Sequence, residues 1–212
     1  MHYITNILMS FVLFTATAVS QEKSELTEPQ IRELIDRLAN KSPPREFDSP
    51  FERLSKDERK SLEPVVDSFR QLTKHFLASL PILIEHLDDK RYSYPREHPT
   101  SGVFENQDVG DACHAIIQGK ILLTNLSFID DRDIGVWVEL SFDKDWYQHV
   151  SKMNLYEMQV DAIDRLLKHP KLERVTKKQW DDGLIDVTRF REEFVRKGEA
   201  IDRTFGPPIE GK

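Results

Sequence analysis

Leu80-Pro81-Ile82-Leu83-Ile84-Glu85-His86-Leu87-Asp88-Asp89-Lys90-Arg91 is the stretch on which the reading of this chain turns. Leu80, Leu83, Ile84 and Leu87 recur at helical spacing and make one apolar stripe. Pro81 suits a helix start, and the paired aspartates suit a stop. A second short helical pattern, Val109-Gly110-Asp111-Ala112-Cys113-His114-Ala115-Ile116-Ile117, follows, with Asp108 as its cap, Asp111 completing the capping box and Gly119 as its stop. The two patterns describe a helix pair. The segment between them, Tyr92 to Gln107, carries Pro95, Pro99 and Gly102 and no hydrophobic period, so it reads as a long inserted loop.

Working outward, the same signals recur on both sides. Thr27 with Gln30 opens a helix whose apolar face is Ile31, Leu34, Ile35 and Leu38, ending before Ser42-Pro43-Pro44. Ser55-Lys56-Asp57-Glu58 is a capping box before a long pattern through Leu62, Val65, Val66, Phe69, Leu72, Phe76 and Leu77. Pro64 either kinks that element or marks its true first turn, and Pro81 separates it from the next helix. Toward the C-terminus, Asn154 with Glu157 caps a helix carrying Met158, Ala162, Ile163 and Leu166. A last helix is expected from about Thr176 to Lys197, on the stripe Trp180, Leu184, Val187, Phe190 and Phe194. Only Gly135 to Phe142, with Val136, Val138, Leu140 and Phe142 alternating, has the period of a strand. The expected fold is mainly α, a helical bundle with little or no β.

Residues 1–20 contain no Lys, Arg, Asp or Glu, are apolar from Ile7 onward, and end in Ala16-Thr17-Ala18-Val19-Ser20. That layout is a secretory signal peptide, and its apolar run falls short of a membrane span. The expected organisation is a signal peptide over 1–20, a helical domain over 21–202 and a flexible tail over 203–212. The implied location is the periplasm or the extracellular space, with no membrane attachment after cleavage. The formal charge is −7 over 212 residues. An acidic chain repels nucleic acid and anionic lipid, so neither is an expected partner. Cys113 is the single cysteine, which excludes an intrachain disulfide. Among Ala112, Ala115 and Ile116 it reads as a small buried residue.

The quoted segments resemble a HEAT-type helical repeat: Leu80-Pro81, Leu83-Ile84 and Leu87 with Asp89 and Arg91, then the Ala-containing helix Val109 to Ile117. They also resemble exported bacterial proteins that share a Pro-x-Leu-Ile-x-His-Leu-Asp-Asp-x-Arg segment, here Pro81 to Arg91, and a Gly-Asp-x-Cys segment, here Gly110 to Cys113. The likeness covers Leu80 to Gly119 and departs from HEAT in its Tyr92 to Gln107 insertion and in the lack of a second repeat, so it describes one degenerate unit. What it implies is a helical binding surface and no catalytic residue.

Two functional readings follow. The first is a protein-binding or scaffold module rather than an enzyme, with no cofactor, contacting its partner through Arg91, Tyr92, Tyr94 and Phe104, residue types enriched in interfaces. The second is a metal-binding protein or hydrolase using His86, His98, Asp111 and His114, where imidazole and carboxylate could hold a divalent metal. Against it, no HExxH or paired Glu-x-x-His motif is present, and Asp111 is already suited to capping. Cys113 and His114 are adjacent on a helix and point about 100° apart, which disfavours a nucleophile pair.

Overall fold

The computed structural model describes residues 25–44, 54–97, 104–122, 140–168 and 188–207. The expected signal peptide and most of the alternating stretch 135–142 lie outside the described residues. The chain is mainly helical, and a two-stranded antiparallel hairpin is the one sheet among the described residues. In chain order the elements are α1 (Glu28–Leu38), α2 (Lys56–Ser61), α3 (Glu63–Lys74), α4 (Phe76–Glu85), β1 (Tyr92–Glu97), β2 (Phe104–Asp108), α5 (Val109–Ile121), α6 (Lys144–Val150) and α7 (Leu155–Leu167). Residues 188–197 are helical and are called α8.

Local chemistry accounts for most boundaries. Reciprocal capping boxes start four helices: Thr27 with Gln30, Ser55 with Glu58, Asp108 with Asp111, and Asn154 with Glu157. The last three each satisfy two backbone donors that the first turn would otherwise leave orphaned, and at α1 Gln30 Oε1 accepts from both the Thr27 N–H and its hydroxyl at 2.9 Å. The Asp143 carboxylate accepts from the Trp146 backbone N–H at 2.8 Å and caps α6.

Of the two readings of Pro64, the structure has the second: it sits in the first turn of α3, after a break at Leu62. One boundary differs from the sequence expectation. The next break falls at His75, not at Pro81, which lies inside α4. His75 (φ −107°, ψ 38°) steps out of helical geometry and resets the phase of the apolar stripe. Phe76 therefore stays buried while Leu77, expected in the same stripe, is half exposed. Pro81 costs α4 one hydrogen bond, to the carbonyl of Leu77. At that half-exposed residue water can reach the freed carbonyl.

Helix α4 is the centre of the molecule. Phe76, Leu80, Ile82, Leu83 and Ile84 are all buried, so it is covered on nearly every side. It packs against α1, α3, α5 and α6. The main core joins the predicted faces of α1 (Ile31, Leu34, Ile35, Leu38), α3 (Val65, Phe69, Leu72) and α7 (Met158, Ala162) to α5, which contributes Ala112, Cys113, Ile116 and Ile117. A smaller cluster (Ile163, Leu166 and Phe194) holds α8 against the far side of α7.

The segment read as an inserted loop is the hairpin β1–β2, in which Tyr94 pairs with Gln107, Pro95 with Asn106 and Arg96 with Glu105. Its prolines masked it. Pro95 cannot donate to a ladder, but a two-stranded ribbon has free edges where a missing N–H is tolerated. Gly119 does not stop α5, which continues to Ile121. It gives room to Phe205 instead: a Cβ there would overlap the far edge of that ring and lie 2.7 Å from its Cε2. In the segment expected as the start of a flexible tail, Phe205 lies against Gly119 of α5 and Phe69 of α3, while Arg203 and Thr204 are exposed.

Candidate functional site

The turn from α4 into β1 is an electrostatic junction. Asp89 accepts from the Arg91 guanidinium through Nε, shared between its two oxygens at 3.0 and 3.1 Å, and through Nη2 at 2.6 Å, and also from the Arg91 backbone N–H at 3.1 Å. His86 Nδ1 lies 3.2 Å from the same carboxylate. Arg91 Nη1 reaches on to Asp36 of α1 at 2.9 Å. The hydrogen bonds from Arg91 hold the Asp89 carboxyl down at about 2, well below its ordinary value. The Arg91 guanidinium is correspondingly raised.

The backbone of the same turn receives α5. Val109 N–H donates to the Arg91 carbonyl at 2.8 Å and Gly110 N–H to the Asp89 carbonyl at 2.9 Å. The approach is so close that a Cβ on Gly110 would overlap the Leu87 carbonyl oxygen and lie 2.9 Å from its carbon. The hairpin is tied to α1 on its other side. Asn40 N–H donates to the Tyr92 carbonyl at 2.8 Å, and Ser93 Oγ donates to the Leu38 carbonyl at 2.7 Å.

The residues singled out for binding therefore divide. Tyr94 is fully buried, with its ring edge-on to Phe69 at 6.4 Å. It belongs to the core and offers a partner no surface. Its place on the inward face of a strand could not be read while the segment was taken for a loop. Arg91 is exposed but committed to Asp89 and Asp36. Tyr92 is half-buried. Phe104 begins β2 and pairs with Glu97 through the backbone.

Of the residues considered for a metal, His86, Asp111 and His114 are described and do not form an ion-holding group. His86 faces Asp89. Asp111 accepts from the Asp108 backbone N–H at 2.9 Å, the capping role its spacing predicted. His114 lies against the Phe142 ring, 5.8 Å between centroids. His98 is outside the described residues. No group of three His, Cys, Asp or Glu side chains among the described residues is arranged to hold an ion. Cys113 is buried, and loss of solvation raises its thiol pKa well above the ordinary value, so it is not a poised nucleophile.

The concave surface beside the hairpin was not legible in the sequence. A depression of about 360 Å³ lies between β1 and the end of α1, with Asn40, Pro43, Leu54, Leu62, Tyr92 and Pro95 in its wall. It shares Asn40, Ser42 and Ser61 with a second depression of about 650 Å³, rimmed by Glu33, Asp36, Arg37 and Lys41. Together they form one groove with apolar and proline-lined walls and a charged margin. Asp36 connects that margin to Arg91. The residues supplying it lie far apart in the chain; the packing of α1 on α3 brings one wall together, and Asn40 and Ser93 fasten the hairpin beside it.

Comparison of the chain with protein-family models, with curated proteins and with solved structures found no match. Among the described residues no helix is long and apolar enough to cross a membrane.

Proposed function

We propose that this is an exported helical module that binds a protein partner, and that the partner lies in the groove between β1 and the end of α1. The observation that carries the reading is the groove itself. Half-buried Tyr92 shares its wall with the buried Pro95, Leu54 and Leu62, and charged side chains rim it. Apolar walls with a polar margin are the anatomy of a site that takes an extended peptide. Arg91 acts from the margin by fixing Asp36 and the course of β1, and Tyr94 supports the site from the core. Export rests on the charge-free, apolar residues 1–20 and their small-residue end. The HEAT-like resemblance of Leu80 to Gly119 agrees with a binding scaffold.

The test is capture from envelope and extracellular fractions with tagged protein spanning residues 21–212. A stoichiometric partner retained by the native chain is expected to be lost with Tyr92→Ala. That substitution spares the backbone carbonyl bonded to Asn40 and should leave the melting temperature nearly unchanged. Undiminished capture by a folded Tyr92→Ala protein would remove the groove from consideration.

A further inference from the structure

Residues 199–207 lie across α3, α5 and α7 as an extended strap, and three features grip it in different ways. The Gln159 side chain, wholly buried on α7, meets both backbone groups of one residue. Its Nε2 donates to the Ile201 carbonyl at 3.0 Å, and its Oε1 accepts from the Ile201 N–H at 3.1 Å. The same Nε2 also donates to the Lys120 carbonyl at 2.7 Å, which fixes the amide's orientation. A paired donor and acceptor of this kind reads backbone, as a strand edge does.

Lys120, itself 1% exposed, directs its ammonium to Asp202. A buried lysine selects an anion, because an apolar occupant would leave its charge unpaired. Gly119 and Phe69 then seat the Phe205 ring, edge-on to Phe69 at 5.7 Å.

The receptor side of these contacts is buried, but the strap is not. No residue of 199–207 is itself buried, and Asp202, Arg203 and Thr204 are exposed. A depression of about 480 Å³ opens beside the strap, walled by Ala200 and Asp202 together with Phe76, Leu77 and Tyr156. We propose that the cleft between α3, α5 and α7 is a second peptide-binding groove. Ile201–Phe205 fills it in cis, and a partner segment with the same order of hydrophobic, acidic, two free positions and aromatic can displace the strap. The proposal stands apart from the groove beside β1 and shares no residue with it.

The test uses the full chain with the strap's anchors removed, D202A/F205A, and a fluorescent peptide of residues 199–207 followed by anisotropy. The peptide should bind the variant saturably, and native protein at least about tenfold more weakly, because the tethered strap competes at high effective concentration. A peptide lacking the Asp and Phe should not bind. A helical D202A/F205A protein that ignores the peptide would overturn the proposal. If that variant does not fold, amide exchange on the native chain decides. Exchange of the Ile201 amide through local opening, faster than the amides of α5, supports a displaceable strap, whereas exchange only with global unfolding overturns it. A concentration-dependent dimer dissolved by excess peptide would support the groove and identify a second copy as its occupant.

Discussion

Replacing Gly110 by alanine sets two physical effects of opposite sign against each other. Gly110 lies in the first turn of α5, where alanine's better helix propensity favours folding by up to about 1 kcal/mol. The added Cβ, however, would overlap the Leu87 carbonyl oxygen and lie 2.9 Å from its carbon. Backbone cannot yield as a flexible side chain can, so the α5 start must part from the turn after α4 by roughly the depth of that overlap. The bonds from Gly110 N–H to Asp89 (2.9 Å) and from Val109 N–H to Arg91 (2.8 Å) lie across the gap that opens. Buried backbone groups left unpaired cost about 1–3 kcal/mol each. Setting the propensity gain against the loss of one to two such bonds leaves a net destabilisation of about 2–4 kcal/mol. For a chain of this size that is a fall in melting temperature of about 5–15 °C. Thermal melts and urea titrations followed by circular dichroism read it directly. Gly206→Ala is the control, because its nearest neighbour, Arg70 Nε, would stand at an ordinary 3.4 Å. A Gly110→Ala protein as stable as the native chain, or more so, would show that propensity governs the site and that the close approach carries no weight.

Other outcomes follow from the same geometry. The Asp89 carboxyl is held near 2 by Arg91 against an ordinary 3.8. Because its folded value is depressed, its contribution of about 2 kcal/mol is present above pH 4 and lost as pH falls toward 2. Asp89→Asn should flatten that part of the stability profile, and an unchanged acid limb would refute the assignment. Tyr94→Ala removes a fully buried ring and should cost about 3–5 kcal/mol, whereas Tyr92→Ala should cost far less; parallel denaturant titrations distinguish the two. Gln159→Leu leaves the Lys120 carbonyl and both Ile201 backbone groups without their partner. It should destabilise by about 2–4 kcal/mol and speed amide exchange at Ile201. Cys113 should resist an aromatic disulfide reagent at neutral pH until the chain is unfolded, and rapid labelling of native protein would contradict its burial.

Where a helix is local, the sequence announced it. Thr27 with Gln30, Asp108 with Asp111 and Asn154 with Glu157 are capping boxes readable at a spacing of three, and each is present. The apolar faces of α1 and α7 likewise follow from period alone. The failures occur where tertiary contact decides. Pro81 reads as a helix start, yet the break falls at His75 and α4 runs through the proline. Gly119 reads as a stop, yet its role is set by Phe205, far along the chain. Tyr94 has the character of an interface residue, and only the hairpin's inward face reveals it as core. Asp88 and Asp89 read as a helix-ending turn, and they lie just past the end of α4. What no local pattern could disclose is that Asp36 completes the charge network or that Asn40 fastens the hairpin. The groove walls come from α1, α2, β1 and the intervening chain, so no sequence window contains them.

The strap also orders events during folding. Asp202 lies 82 positions from Lys120 in the chain, and Ile201 lies 42 from Gln159. Contacts of such separation form late, because loop-closure entropy opposes them until the surrounding core is in place. The strap lies C-terminal to α3, α5 and α7, so these helices can pack before it is placed. Until it docks, the Lys120 ammonium has no Asp202 to receive it and the Phe205 seat is bare. Docking of the strap is thus the step that fills the cleft and completes the domain.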